Sequence, residues 1–389
     1  MIDVSRPIPR GDVLCLSHLR WNFVFQRPQH LMTKCARERR VFFIEEPIVV
    51  PEIAPHLKVE VHAPVNVVVP QIPDGLTSVA RSAVLRRLLD DFMRATHIRD
   101  YLLWYYTPMA LDYTDHLSPS AIVYDCMDEL SAFKGAPATL KDREADLMRR
   151  SSLVLTGGRS LYEAKKHQHK NIHPFPSSVD VAHFGQARCT VSDPPDQALI
   201  PHPRLGFFGV IDERLDIGLL DAVAAARPDW HFIMLGPVVK IDSASLPQRS
   251  NIHYLGSKPY EALPAYVATW DVALLPFARN AATQFISPTK TPEYLAAGKP
   301  VVSTSIRDVV RPYGELGLAR IADDVDRFVH ACSAAMVEDA AARITQADAF
   351  LRHTSWDGTW SRIRALVHDA MRGALVEEPR GFAEGAAAV

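Results

Sequence analysis

The sequence predicts an α/β protein built as two tandem doubly wound, Rossmann-like domains facing a cleft. Three observations lead there. Short apolar runs alternate with helical patterns along the chain, a polar proline-rich stretch interrupts the alternation midway, and the alternation then restarts from a strand. The runs are apolar almost throughout, as strands covered on both faces require. A length of 389 residues allows two or three domains at ~150 residues each.

In chain order, strands are expected at 13–16, 41–44, 65–69, 101–106, 121–124, 153–156 and 172–174, with helical stretches at 29–39, 78–96, 138–149 and 160–167. All the strands are expected to run parallel. Residues 185–203, with Pro194, Pro195, Pro201 and Pro203, read as a linker. Strands follow at 205–211, 231–235, 252–255, 272–276, 301–304 and 319–322, and helices at 218–227, 262–269, 292–297 and 325–335. The stretch from Thr354 to Val367 is a capped amphipathic helix left over after the second sheet. It must bury its apolar face, and packing back across the junction is one way to do so. The expected units are therefore 1–185, a linker over 186–203, 204–350, a returning helix over 351–376 and a flexible tail over 377–389.

Composition excludes several classes. A net charge of −2, with 48% hydrophobic and 23% charged residues, is that of a soluble globular chain and gives no sign of nucleic-acid binding. Cys15, Cys35, Cys126, Cys189 and Cys332 are odd in number and lack metal spacing, which suits a reduced, cytoplasmic setting. No apolar run reaches the ~20 residues a membrane span needs. No Walker or Gly-x-Gly-x-x-Gly loop and no His-Glu-x-x-His appears, so neither a metal nor a cofactor is expected. Asp324-x-Asp326 reads as a helix start rather than a metal motif.

The richest stretch runs from Phe285 to Thr304: a polar loop, a short helix and a buried strand. Thr289 or Thr291 would cap the helix, Pro292 suits its first turn, and Gly298 sits where a left-handed C-cap belongs, ahead of Pro300. Amide groups at the helix start, the Lys290 cation and the Glu293 carboxylate together suit a diphosphate joined to a ribose. The competing reading is a solvated i, i+3 ion pair. Arg214, after a strand and a turn, offers bidentate contact to phosphate or is a plain surface arginine.

In the first half, Trp21, Gln26, Arg27 and His30 follow the first strand, where open α/β sheets bind ligands. Trp21 would stack on a sugar and Arg27 would hold a charged acceptor or a donor phosphate; the alternative is ordinary helix capping. Asp125 and Asp128 lie at another strand end as candidate acid–base groups, or else as helix caps or partners of Arg or Lys. The helix bearing Arg81, Arg86, Arg87 and Arg94 is basic and amphipathic, so it would either touch an anionic membrane or simply cover the sheet.

These stretches resemble GT-B fold glycosyltransferases, in particular the retaining, nucleotide-sugar-dependent family-4-like (group 1) enzymes. Residues 207–214 resemble the first strand and loop of that family's donor domain, with Gly209 and Arg214 in it. Residues 176–184 resemble the segment that ends the first domain, and 255–260 the loop that reads the base edge, with Tyr260. Residues 287–302 resemble the glutamate-containing segment together with a Ser-Pro-Thr-Lys lead-in that carries Ser287 and Thr289. Val210 replaces a usual arginine, and Phe285 stands where many members carry a first glutamate that touches the sugar.

The resemblance implies donor binding by Gly209, Arg214, Tyr260, Ser287, Thr289, Lys290 and Glu293, with acceptor binding near Trp21 to His30. It implies a metal-independent transferase using a UDP- or GDP-sugar and a glycan or lipid-linked acceptor in cell-surface polysaccharide assembly. Its place would be the cytoplasm or the cytoplasmic face of the membrane. Alternatives are an epimerase or phosphorylase on the same scaffold, or a non-catalytic scaffold, which Phe285 keeps open.

Overall fold

The computed structural model describes residues 11–189 and 192–376. The first sheet contains β1 (Asp12–Ser17), β2 (Val41–Glu45), β3 (Ile48–Val49), β4 (His56–His62), β5 (Val65–Ile72), β6 (Tyr101–Tyr105), β7 (Ala121–Cys126), β8 (Leu153–Thr156) and β9 (Ile172–Pro174). Its order is β3-β5-β2-β1-β6-β7-β8-β9, with β4 on β5. β1 lies central and parallel to β2 and β6, pairing Val13 with Val41 and with Leu102. The second sheet is formed by β10 (Arg204–Phe208), β11 (His231–Leu235), β12 (Ile252–Gly256), β13 (Val272–Leu275), β14 (Val301–Ser303) and β15 (Arg320–Ile321), in the order β12-β11-β10-β13-β14-β15.

Two doubly covered parallel sheets are thus present, and the central strands β1, β2, β6 and β10 are buried along nearly their whole length. One feature corrects the all-parallel expectation. β4 runs antiparallel to β5, pairing Val59 with Val68. Its side chains are largely exposed, so it carries no continuous apolar run to mark it. The helix Ala340–Leu351 is likewise additional to those expected.

The helix Trp356–Val376 returns to the first sheet. Trp356, Ile363, Val367 and Met371 share a core with Val13, Leu31, Val123 and Leu153. Each large apolar side chain buried there contributes about 1.5–3 kcal/mol. The two chain crossings between the sheets touch one another: Val179 N–H donates to Thr354 O at 3.3 Å, and the Ser178 and Thr359 hydroxyls are 2.7 Å apart. The tail expected over 377–389 lies outside the described residues. No helix among the described residues is long and apolar enough to cross a membrane.

Candidate functional site

The floor of the site is the C-terminal edge of the second sheet. β10 ends at Phe208, and Gly209 follows with φ +139°. That φ favours glycine, and without a Cβ the Lys290 chain crosses the strand end where a Cβ would lie 2.1 Å from its Cε. The lysine opens the helix Lys290–Ala296. Thr289 occupies the N-cap position, but its side chain makes no capping bond, and Thr291 Oγ1 is buried without a partner, so neither threonine caps as expected. The other end forms as expected. Gly298 has φ +73°, and the amides of Gly298 and Lys299 donate to Leu295 O and Tyr294 O at 2.9 Å each, a Schellman closure. Phe208 N–H donates to Tyr294 Oη at 3.1 Å, which ties helix to strand end.

Arg214 is held by a residue the sequence reading passed over. Asp212, 3% exposed, takes Arg214 Nε at 2.9 Å and Nη2 at 2.7 Å. An acid two residues before the arginine was the available signal. The planar fork is thereby oriented before any ligand arrives.

Two cavities meet here. The larger, about 440 Å³, has walls that include Trp21, Phe25 and Gln26 from the first domain and Gly209, Tyr260, Thr289, Lys290 and Glu293 from the second. The smaller, about 100 Å³, is lined by residues including Gln26, Asp128, Gly157, Arg214, Ser287, Thr289 and Lys290. Gln26, Thr289 and Lys290 border both. Arg214 and Lys290 therefore face one crevice.

Burial dominates the electrostatics. It pushes the Lys290 ammonium below its ordinary pKa, with Arg214 adding to the fall and Glu293 opposing it. It raises Glu293 to about 7, against the pull of Lys290. Asp128 is raised to about 6 by burial, with Arg214 and Arg27 pulling the other way. Two cations, a carboxylate and a poised acid thus surround a space able to hold a diphosphate ester.

The first-domain candidates divide. Asp128 lines the smaller cavity, and Trp21 and Gln26 line the larger. Asp125 does not reach a cavity. It is fully buried, with both oxygens 3.1 Å from Arg27 Nε, so the ion-pair reading of this residue replaces the catalytic one. Arg27, 2% exposed, borders the smaller cavity but also donates to Phe175 O at 2.7 Å, so its guanidinium is engaged within the protein rather than free for an acceptor. His30 lines neither cavity; it stacks on Trp356 at 4.6 Å, and burial lowers its pKa to about 3. Asp324 caps its helix through Arg327 N–H.

The cleft is closed. Asp308 accepts from Ser160 N–H at 3.0 Å across it, and Ser177 Oγ donates to Ser287 O at 2.9 Å. Phe133 of the first domain lies 5.6 Å from the Arg214 guanidinium and 5.0 Å from Lys240 Nζ. Phe285 turns away from the crevice and packs on an apolar cluster of the first domain. No group of three or more metal-ligating side chains occurs among the described residues, and all five cysteines are free.

Residues 202–338 match the family described as Glycosyl transferases group 1. A candidate teichuronic acid biosynthesis glycosyltransferase, TuaH of Bacillus subtilis (strain 168), is 25% identical over 223 residues, covering 52% of this chain and 55% of that protein. The match thus spans about half of each. Sucrose-phosphate synthase from Thermosynechococcus elongatus superposes with a TM-score of 0.71 at 13% identity, over 94% of this chain and 100% of that one. Anabaena Alr3699/HepE in complex with UDP and glucose gives 0.65 at 15% identity, over 92% and 99%. The resemblance to group 1 glycosyltransferases holds in the second domain, and the GT-B fold extends over nearly the whole chain.

Proposed function

We propose that this protein is a glycosyltransferase that moves a sugar from a UDP- or GDP-linked donor to a glycan or lipid-linked acceptor in cell-surface polysaccharide assembly, with retention at the anomeric carbon. The single observation that carries the reading is that Lys290 borders two adjoining cavities, sharing the smaller with Arg214 and the larger with Glu293. On this reading Lys290 and Arg214 hold the diphosphate and Glu293 accepts from the ribose hydroxyls. As the glycosidic bond breaks, the leaving diphosphate gains negative charge, and two fixed cations stabilise it without a divalent metal. Asp128, beside them in the smaller cavity, takes the acceptor hydroxyl's proton as that oxygen bonds to the anomeric carbon, while the diphosphate leaves with the electron pair of the broken bond. Closure of the two domains excludes water from the donor. The group 1 match over the donor half and the teichuronic acid relative support the reaction class and the polysaccharide setting.

Arg86 pairs with Asp115, while Arg87 and Arg94 share Asp91, so much of the basic charge on the helix Ser78–Ala95 is internally balanced.

The test is donor binding followed by turnover. UDP or GDP should raise the melting temperature and give a calorimetric isotherm. Lys290→Ala and Glu293→Ala should abolish both, and Lys290→Ala should lower turnover by ~100-fold or more, as loss of one transition-state donor does. A protein indifferent to both nucleoside diphosphates would refute the assignment.

A further inference from the structure

We propose that Phe25, a residue of the first domain, binds the nucleoside of the donor: its ring is the platform against which the base rests when the cleft is closed. This rests on the transferase reading above. The loop that carries Phe25 was expected to meet the acceptor, yet it forms a wall of the larger cavity, facing Gly209, Lys290 and Glu293. In a nucleoside diphosphate the ribose separates base from phosphate. With phosphate at Lys290 and ribose at Glu293, the base must lie beyond Glu293. Tyr260 lines the same cavity as Glu293, and Phe25 stacks on Tyr260 at 4.4 Å with the rings 26° apart.

The stack is supported from behind and open in front. His183, from the segment that links the domains, lies parallel to Tyr260 at 4.1 Å, and the edge of His30 meets Phe25 at 4.7 Å. The loop itself is fixed. Trp21 N–H donates to Glu45 at 2.7 Å, and Gln29 Nε2 donates to Trp21 O at 2.8 Å and Val24 O at 3.0 Å. Despite this, Phe25 remains 40% exposed and belongs to none of the apolar cores. An aromatic ring held rigid on a cavity wall, with surface to spare, presents a stacking face to any base. Because Tyr260 and Phe25 come from different domains, the platform exists only when the domains are closed. Donor affinity and closure are then one event.

The experiment is calorimetric titration of the full chain, Phe25→Ala and Phe25→Tyr with UDP, GDP and inorganic pyrophosphate, alongside melting curves without ligand. Phe25→Ala should weaken UDP and GDP about tenfold, the scale of a lost base–aromatic contact. Pyrophosphate, which has no base, should bind all three proteins alike, and Phe25→Tyr should stay within about twofold of the parent. Melting temperatures should agree, since the ring supports no core. Unchanged UDP and GDP affinity in Phe25→Ala overturns the inference and leaves the transferase reading standing. So does an equal loss for pyrophosphate, which would show that the ring acts on closure alone. If the intact protein binds neither UDP nor GDP, the transferase reading fails and takes this inference with it.

Discussion

Asp128 is held between opposing influences, and they set its response to pH. Burial lifts its pKa from the ordinary 3.8 to about 6, although Arg214 and Arg27 pull it down. A raised carboxyl pKa means that the folded protein keeps a proton the unfolded chain has released. The stability it brings is complete below the ordinary pKa and is lost as pH rises through about 6. Asp128→Asn imitates the protonated form. It should therefore melt close to the parent at pH 4 and higher than the parent at pH 7.5, while sugar transfer falls. A melting difference that does not widen with pH would refute burial as the cause.

The same scale explains what was legible beforehand. Lys290, Glu293 and Arg214 could be read because a helix start, its cap glycine and a strand end fall within short stretches of sequence. Asp125 could not be separated from Asp128. Its partner Arg27 is 98 positions away, and only the fold shows that the two annul each other. The Gly209–Lys290 approach is hidden for the same reason.

Among the elements, strands buried on both faces were visible as unbroken apolar runs, and the exposed β4 was not. The relation between elements of the two domains was also beyond local pattern. The helix Arg159–Lys165 of the first domain receives Asp308 of the second at its N-terminus, with Ser160 N–H donating to it at 3.0 Å. Gly158 makes room, since a Cβ there would lie 2.2 Å from Asp308 Oδ2. A carboxylate in that position both caps the helix and pins the closed cleft. Asp308→Ala should lower stability by about 1 kcal/mol, a typical loss for a missing cap. It should also enlarge the radius of gyration seen by small-angle scattering in the absence of donor. An unaltered scattering profile would show that this contact does not hold the domains together.

For the whole molecule, the helix Trp356–Val376 matters more than its place in the sequence suggests. Trp356, Ile363, Val367 and Met371 complete the core on one face of the first sheet. A chain ending at Ser355 would leave that face open. It should be recovered mainly in aggregates on expression, whereas a chain ending at Val376 should be recovered soluble; equal soluble yields would contradict this.

That arrangement has a consequence for biosynthesis. β1 leaves the ribosome ahead of the second lobe, while the helix that covers one face of its sheet follows that lobe. The second lobe, synthesised wholly in between, is therefore free to mature while the first still waits for its cover. Until the helix Trp356–Val376 has been made, a greasy surface stays open to whatever chaperone or neighbouring nascent chain is at hand.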